Sequence, residues 1–362
     1  MQTRFNRKTI RRGLNIFFGL SIACLVLIFV FTGSAQTIAA FESVQPWFLV
    51  IAVALTIADL LGGGLRMWVL TRGLPKPLSY ASSLRAGLAS IAMGAVTPSQ
   101  AGGGPAMVFI LYRKGLTFAE SMSAGLMSFV VTVVFYLVSA VVIIVLGVGD
   151  AVEESRIGGL FRYGLIIFVA IGATFIVFTI WPRLLRRLLE ILFNFMSRFR
   201  SKHYLRPEGR ARAFLRMVEE FHDVNQSYLR HRFPELVGAM LVTAAIFTSK
   251  CFIAYFIVRG LGVEAGAWEV VSTQVLILLA VYFFPTPGGT GAAEIGAAVL
   301  MANIVPRELL PVYVVLWRVI LMYVAVIAGS IVMIQEVGQD TVVAGRRPGE
   351  LTVEKKIEVS GE

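Results

Sequence analysis

Long uncharged apolar runs constrain what this chain can fold into more than any other feature of its sequence. A membrane-spanning helix needs about 20 largely apolar residues. Uncharged apolar runs close to that length occur at 14–32, 121–149 and 163–182. Further apolar stretches, each interrupted by one or two charges or by Pro/Gly clusters, lie at 47–70, 235–258, 268–304 and 309–335. Since 57% of the 362 residues are apolar and 15% are charged, the sequence predicts an all-α, polytopic integral membrane protein.

The positions of the basic residues predict how these spans are oriented. Residues 1–12 contain five Arg/Lys and no acid, so the positive-inside rule places this basic tail in the cytoplasm. The connection 183–232 contains twelve Arg/Lys against five acids, and is predicted to be cytoplasmic and amphipathic, with a helix over 184–193 lying against anionic lipid. The chain is thereby divided into a tail at 1–12, a membrane half at 13–182, this connection, a second membrane half at 233–336 and a cytoplasmic tail at 337–362.

The residue types present argue against several classes of function. Cys24 and Cys251 lie in separate apolar stretches, and the three histidines fall in one polar region without metal-ligand spacing, so neither a metal site nor a cofactor is expected. The sequence contains no recognisable nucleotide-binding loop or catalytic constellation, which indicates that the chain is not an enzyme. The net charge of +11 resembles that of nucleic-acid-binding proteins. However, the basic residues cluster at the predicted cytoplasmic face, where anionic lipid is the simpler partner.

Two segments interrupt the apolar pattern in the same way. The first reads AVTPSQAGGG at 95–104 and the second reads FPTPGGTGAA at 284–293, and the shared pattern TPxxxG recurs 189 residues apart. Proline removes a backbone donor and disfavours helix at the residue before it, while clustered glycines permit tight turns and close approach. Each of the segments 79–118 and 268–304 is therefore predicted to be a helix, a break and a second helix.

The two broken segments predict a substrate site within the membrane. Backbone groups freed at membrane depth persist only where protein or a watered cavity surrounds them. A half-helix starting near Gly102 or Gly291 would direct N–H groups and a positive dipole end into such a cavity, which suits an anion such as a lipid phosphate. If each segment is re-entrant, the two copies are inverted relative to each other, which is typical of transporters. Alternatively, 79–97 and 101–118 are each long enough to span as separate helices.

The second motif carries a resemblance to a known family. The stretch PTPGGTGAAE at 285–294, with Trp317-Arg318 downstream and TPxxxG in the first copy, resembles the flippase-like family. That family comprises the membrane region of lysylphosphatidylglycerol synthases and their stand-alone relatives, also called UPF0104, and the resemblance extends over residues 12–336. Relatives often carry charges in the helix after the first motif, where this chain has only uncharged residues from Leu126 to Thr132.

The resemblance implies a place and a partner for the protein. It implies a multi-pass protein of the inner (plasma) membrane of a prokaryote that moves a phospholipid or a polyprenyl-linked lipid between leaflets. The charge asymmetry predicts that both termini are cytoplasmic. The resemblance is compatible with a homo-oligomer or with a partner synthase. Some relatives have a soluble aminoacyl-transferase domain after the membrane region, and that domain is not expected here because the chain stops at Glu362.

The candidate lipid-binding residues combine the two motifs with nearby charges. They are Thr97, Pro98, Gly102, Gly103, Arg113, Lys250, Pro285, Thr286, Pro287, Gly288, Gly289, Gly291, Glu294 and Arg318. The second motif and Arg318 are predicted to form the more important half, because glycine and proline are denser there and a guanidinium offers bidentate donors to phosphate. Three further charges within or near the apparent spans are Asp59, Arg66 and Arg85.

The charges predicted inside the membrane allow two interpretations. An ionisable residue at that depth needs a partner or a watered cavity. Asp59 either pairs with Lys250 or Arg318 as simple neutralisation, or the two cations hold a phosphate while Asp59 or Glu294 contacts a cationic headgroup or relays a proton.

Several of these residues also have structural alternatives. Arg66, Arg85 and Arg113 are long enough to snorkel towards the membrane surface. Glu294 is placed to cap the helix that begins after Gly291. The run 62–64, which is Gly-Gly-Gly, is interpreted as a close helix crossing rather than a functional site.

The leading functional hypothesis is a flippase-like transporter that moves a phospholipid or a lipid-linked intermediate through a central polar cavity. The alternatives are an intramembrane enzyme acting on a lipid-linked substrate and a membrane scaffold for a lipid-modifying partner. The paired broken helices count against the scaffold.

Overall fold

A computed structural model of the chain describes residues 7–32, 37, 44–98, 100–145, 170, 208–283 and 286–345. These residues form helices and no β-strand, as predicted. The helices are α1 (Arg7–Thr32), α2 (Pro46–Arg72), α3 (Tyr80–Ala95), α4 (Gly103–Arg113), α5 (Phe118–Val145), α6 (Glu208–Arg230), α7 (Phe233–Gly260), α8 (Ala267–Phe283), α9 (Ala292–Leu300), α10 (Leu310–Arg318) and α11 (Val324–Gly345). A short 3₁₀ turn, Met301–Asn303, follows α9, and a π-helical segment, Val319–Tyr323, joins α10 to α11.

Five of the described helical stretches are long and apolar enough to cross a membrane. They are Thr9–Val30, Pro46–Arg72, Phe118–Ser139, Phe233–Gly260 and Leu310–Gly338. Large apolar side chains stay exposed along them, as expected where lipid rather than water is the solvent. The prediction of a polytopic membrane protein is therefore confirmed. The predicted span at 163–182 and the amphipathic helix at 184–193 lie outside the described residues.

Helix α2 packs between α7 and α3. Its start is tied to the end of α7, because the N–H of Gln45 donates to the carbonyl of Gly260 at 2.8 Å. The glycine run within α2 faces both neighbours: a β-carbon on Gly62 would lie 2.9 Å from Cγ1 of Ile246 in α7, and one on Gly64 would lie 2.9 Å from Cα of Leu84 in α3. These distances support the interpretation of the run as a close helix crossing.

The run offers a matched pair of substitutions that tests this packing. We expect Gly64→Ala to destabilise the protein by about 1–3 kcal/mol, because the added methyl group forces α2 and α3 apart. Gly63→Ala should not destabilise it, because no atom lies within 4 Å of its β-carbon position and alanine is the better helix former. Thermal unfolding in detergent measures both, and equal midpoints for the two variants would contradict the close crossing.

Both predicted breaks are present, and each separates two short helices. Helix α3 ends at Ala95 and α4 begins at Gly103, while α8 ends at Phe283 and α9 begins at Ala292. The four helices have 16, 11, 17 and 9 residues. At about 1.5 Å per residue, each is shorter than the roughly 30 Å of a hydrocarbon core. Within each pair the helices pack against each other, so each pair forms a helical hairpin.

The two hairpins open towards opposite ends of the continuous helix formed by α10, the π-helical segment and α11. The open end of the first hairpin contacts Glu336 in α11, through Arg85 of α3 and Lys114 after α4. The open end of the second hairpin continues through the 3₁₀ turn to Leu310, where α10 begins. The tips of both hairpins therefore lie between these ends.

Candidate functional site

The tips of the two hairpins touch each other. Pro98 of the first break and Pro287 of the second form an isolated antiparallel β-bridge. These two prolines occupy the same position of the repeated TPxxxG pattern. The bridge therefore joins equivalent residues of the two copies, and the breaks meet in space as the repeat predicts.

The two breaks also share one backbone conformation. In each copy the N–H of the third residue after the threonine donates to the threonine carbonyl, from Gln100 to Thr97 at 3.3 Å and from Gly289 to Thr286 at 3.1 Å. In each copy the next N–H donates to the proline carbonyl at 3.1 Å. The sequence repeat is thus a structural repeat at the level of individual hydrogen bonds.

The backbone N–H groups at the starts of the second half-helices have partners within their own motifs. The hydroxyl of Thr97 accepts from the N–H of Gly102 at 2.8 Å, and the carboxylate of Glu294 accepts from the N–H of Gly291 at 2.7 Å. The free N–H groups that the sequence predicts at Gly102 and Gly291 are therefore occupied. The expected capping contact of Glu294 is present. By contrast, the hydroxyl of Thr286 is buried and has no partner among the described residues.

Glu294 is also one half of a buried ion pair. Its Oε1 lies 2.8 Å from Nε of Arg318, and the hydroxyl of Ser21 in α1 donates to the same oxygen at 3.0 Å. The hydroxyl of Ser21 is in turn 2.6 Å from that of Tyr323 in the π-helical segment. Glu294 is fully buried and Arg318 is 2% exposed, so the pair is withdrawn from lipid. Buried charges of this kind persist when they are paired and hydrogen-bonded.

Arg318 keeps donors for a further partner. Its two terminal amino groups approach the carbonyl oxygen of Gly288 only at 3.4 Å each, at the limit of a hydrogen bond. Its guanidinium carbon lies 5.8 Å from the ring centroid of Trp317, and both residues line a cavity. The indole N–H of Trp317 is buried without a hydrogen-bond partner among the described residues. The terminal amino groups of Arg318 are therefore weakly held donors at this wall of the cavity.

A second ion pair lies on the same cavity. Nζ of Lys250 in α7 is 2.5 Å from Oδ2 of Asp59 in α2, and both residues line the cavity. Asp59 is buried, while 22% of the Lys250 side chain is exposed. The partner of Asp59 is thus Lys250 and not Arg318, so the structure selects one of the two pairings that the sequence allows.

The cavity between these pairs is small and has mixed walls. Its volume is about 200 Å³. Its polar lining is Asp59, Lys250, Arg318, Gln100 and Tyr136, and the remaining wall is largely apolar, with Ile91, Leu278, Val281 and Met322 among its residues. Pockets for drug-sized ligands measure about 300–1,000 Å³. This cavity therefore has room for a small polar group but not for a lipid with its acyl chains.

The remaining candidate residues lie apart from the cavity. Arg66 donates to the hydroxyl of Thr132 in α5 at 3.0 Å. Arg85 and Arg113 lie at the open end of the first hairpin, beside Glu336. Gly102 and Gly103 lie at the start of α4, where a β-carbon on Gly103 would be 2.9 Å from the carbonyl oxygen of Ser90 in α3. Pro285 lies outside the described residues.

Some contributors to the site were not singled out from the sequence. Ser21, Tyr136 and Tyr323 are isolated polar residues in apolar helices, which have many structural explanations. Gln100 stands inside the first motif, and its position in a break is a signal that sequence reasoning can use. Glu336 ends an apolar stretch, where a charge is ordinary, so its role appears only in three dimensions.

Glu336 is the buried centre of a basic cluster. Its Oε1 lies 2.7 Å from Arg85 and 2.9 Å from Lys114, and its Oε2 lies 3.9 Å from Arg113. The side chain of Glu336 is fully buried, whereas the three cations are 21–37% exposed. One carboxylate therefore holds both ends of the first hairpin against α11.

Neutralising this carboxylate should loosen the first hairpin. We expect Glu336→Gln to destabilise the protein by about 1–3 kcal/mol, less than the loss of a fully buried pair, because the cations are partly solvated. Glu264→Gln removes an exposed carboxylate and serves as the control. Thermal unfolding of both variants in detergent checks this, and a Glu336→Gln midpoint equal to that of the control would contradict the contact.

The sequence of the chain is similar to those of other membrane proteins. The sequence model of the lysylphosphatidylglycerol synthase TM region matches residues 16–329. The chain is similar to a UPF0104 membrane protein of Archaeoglobus fulgidus, with 25% identity over 314 residues, which cover 86% of this chain and 93% of that protein. The matched region includes both breaks, both ion pairs and the cavity.

Proposed function

The chain belongs to the family of lysylphosphatidylglycerol synthase transmembrane regions, and on this basis we propose that it is a flippase-like transporter that moves a phospholipid or a lipid-linked intermediate between leaflets. The cavity between the two breaks receives the polar headgroup. The acyl or polyprenyl chains stay outside, in the lipid, because the cavity volume is about 200 Å³.

The observation that carries this proposal is the antiparallel bridge between Pro98 and Pro287. An antiparallel pair of equivalent residues is the arrangement that a two-fold axis produces, since such an axis reverses the direction of the strand that it copies. The identical turn hydrogen bonds in both copies and the opposite openings of the hairpins support the same axis. We therefore interpret the two halves as inverted repeats with re-entrant hairpins, the arrangement on which alternating access is built.

The charges of the cavity suit a headgroup that carries a phosphate. The pairs Lys250–Asp59 and Arg318–Glu294 together contribute two charges of each sign, so their formal sum is zero. A phosphate binds the two cations, with the guanidinium fork of Arg318 as the directional donor. An ammonium or hydroxyl of the same headgroup contacts Asp59. Arg318 keeps Glu294 through its Nε and offers its two terminal amino groups to the phosphate, while Asp59 exchanges Lys250 for the headgroup donor. No buried charge is then left unpaired.

A π-helical segment lies next to the cavity, where an exchange of ion-pair partners requires the backbone to move. Val319–Tyr323 begins directly after Arg318, and two of its members, Leu321 and Met322, line the cavity. Single π-helical turns inside α-helices occur frequently at functional sites. In the proposed cycle, this segment repacks as the tips of the hairpins separate and the cavity opens to one leaflet.

The proposed setting is the plasma membrane of a prokaryote, with both termini and the connection 183–232 on the cytoplasmic side. The basic cluster of Arg85, Arg113 and Lys114 then lies at the cytoplasmic end of the first hairpin. Its excess of cations over Glu336 favours anionic lipid headgroups at that surface.

Transport is tested in reconstituted vesicles. The purified protein is placed in vesicles of phosphatidylglycerol and phosphatidylethanolamine that contain acyl-labelled fluorescent phosphatidylglycerol, and external dithionite bleaches the label in the outer leaflet. We expect protein-containing vesicles to bleach beyond the outer-leaflet share, because inner-leaflet lipid is carried outward. Bleaching equal to that of protein-free vesicles would overturn the proposal. Mass spectrometry of the lipids identifies covalent modification and thereby separates a transporter from an intramembrane enzyme.

A further inference from the structure

Gln100 adopts a backbone conformation that an ordinary side chain avoids. Its φ is +56°, in the left-handed region, and it is the only non-glycine residue with positive φ in the part of the chain that the structure describes. Left-handed backbone is uncommon outside glycine, and such residues cluster at functional sites, where the surrounding structure imposes the strain.

The second copy of the motif forms the same turn with a glycine at the equivalent position. The residue 189 positions later is Gly289, with φ +67° and the same hydrogen bond to the threonine of its motif. Glycine reaches this region without steric cost. The turn can therefore form without a side chain at position 100. A glutamine there adds backbone strain that the turn does not need.

Gln100 lies in the wall of the cavity. Gln100 lines it together with Lys250 and Arg318, and its amide has no hydrogen-bond partner among the other described residues. A glutamine amide offers both donors and an acceptor without a charge. It thus complements the two ion pairs, which supply the charged contacts of the same cavity.

We propose that Gln100 is a specificity-determining residue of the cavity, which hydrogen-bonds the terminal hydroxyl or ammonium of a phospholipid headgroup. This inference rests on the proposed lipid site. The ligand class is a glycerophospholipid whose headgroup ends in a hydrogen-bond donor, such as phosphatidylglycerol or phosphatidylethanolamine. A choline headgroup ends in methyl groups, has no donor for the amide oxygen, and would leave that oxygen unpaired.

Binding and movement are measured separately, so that each can fail alone. Binding is the rise in the thermal unfolding midpoint of the detergent-solubilised protein on addition of dioctanoyl phosphatidylglycerol, phosphatidylethanolamine or phosphatidylcholine. Movement is the dithionite assay with the corresponding acyl-labelled lipids. The wild-type protein should prefer the two donor-bearing headgroups over choline by about three- to tenfold, the range of one hydrogen bond.

Three substitutions at this position separate the side chain from the strain. Gln100→Gly should raise the unfolding midpoint of the lipid-free protein by about 1–3 °C, because it relieves the left-handed backbone, and should abolish the headgroup preference. Gln100→Leu keeps the size and the strain but lacks the amide, and should also lose the preference. Gln100→Asn tolerates the left-handed region and keeps a shorter amide, so it should retain part of the preference.

The outcomes distinguish this inference from the function on which it rests. If Gln100→Gly is more stable and keeps the wild-type headgroup preference, Gln100 does not read the headgroup and the inference is overturned. If the wild-type protein binds with the expected preference but moves no lipid, the transport proposal is overturned, whereas the role of Gln100 in headgroup recognition is retained. Equal binding of all three headgroups by the wild-type protein also overturns the inference. Because the glycine variant relieves strain, it remains interpretable even if the leucine variant does not fold.

Discussion

Arg318→Ala is expected to stop lipid movement in reconstituted vesicles. The substitution removes the guanidinium from the cavity wall and leaves the carboxylate of Glu294 fully buried without its cation. Breaking a buried pair in this way costs about 3–5 kcal/mol, so a drop in stability accompanies the loss of movement. Arg318→Lys keeps the charge but not the bidentate fork, and we expect its rate to be intermediate.

A double substitution separates the effect on transport from the effect on folding. In Glu294→Gln/Arg318→Met both charges are removed together, and such neutral replacements of buried pairs are often tolerated or stabilising. We expect this variant to insert and to unfold near the wild-type midpoint, yet to move no lipid. If a folded double variant moved lipid at the wild-type rate, Arg318 would be only the structural partner of Glu294.

Gly289→Leu is the second substitution with a large expected effect, and it acts through the backbone of the second break. Its φ of +67° makes any β-carbon unfavourable by about 1–2 kcal/mol. A β-carbon would also lie 2.6 Å from Cγ1 of Val281, which lines the cavity. The leucine therefore has to displace the wall of the cavity or the tip of the hairpin. We expect no measurable lipid movement in the dithionite assay.

Gly296→Leu is the matched control, because it places the same side chain in α9 with no atom within 4 Å of its β-carbon position. That variant should insert and move lipid at close to the wild-type rate. Equal rates for the two leucine variants would show that the conformation of the second break is not required.

The membrane spans and the two breaks could be predicted from the sequence because both depend on local chemistry. Hydropathy over about 20 residues decides whether a helix is stable in lipid. Proline and glycine act on the backbone of their own residue and its neighbours. For the same reason, the offset of 189 residues between the motifs was enough to predict two equivalent turns. The sequence did not decide whether 79–97 and 101–118 are two separate spans or the two arms of one re-entrant hairpin, because their hydropathy and length are compatible with either.

The contacts between distant parts of the chain were decided only by the tertiary structure. Asp59 and Lys250 are 191 residues apart, and either of two cations satisfied the sequence argument. The backbone of Gln100 could not be predicted from the sequence either. Local preference favours glycine at its positive φ, and the surrounding fold imposes that φ on a glutamine. An ion pair or a strained turn is stable only when packing brings its partners together and excludes alternatives, and that packing is a property of the whole bundle rather than of any segment.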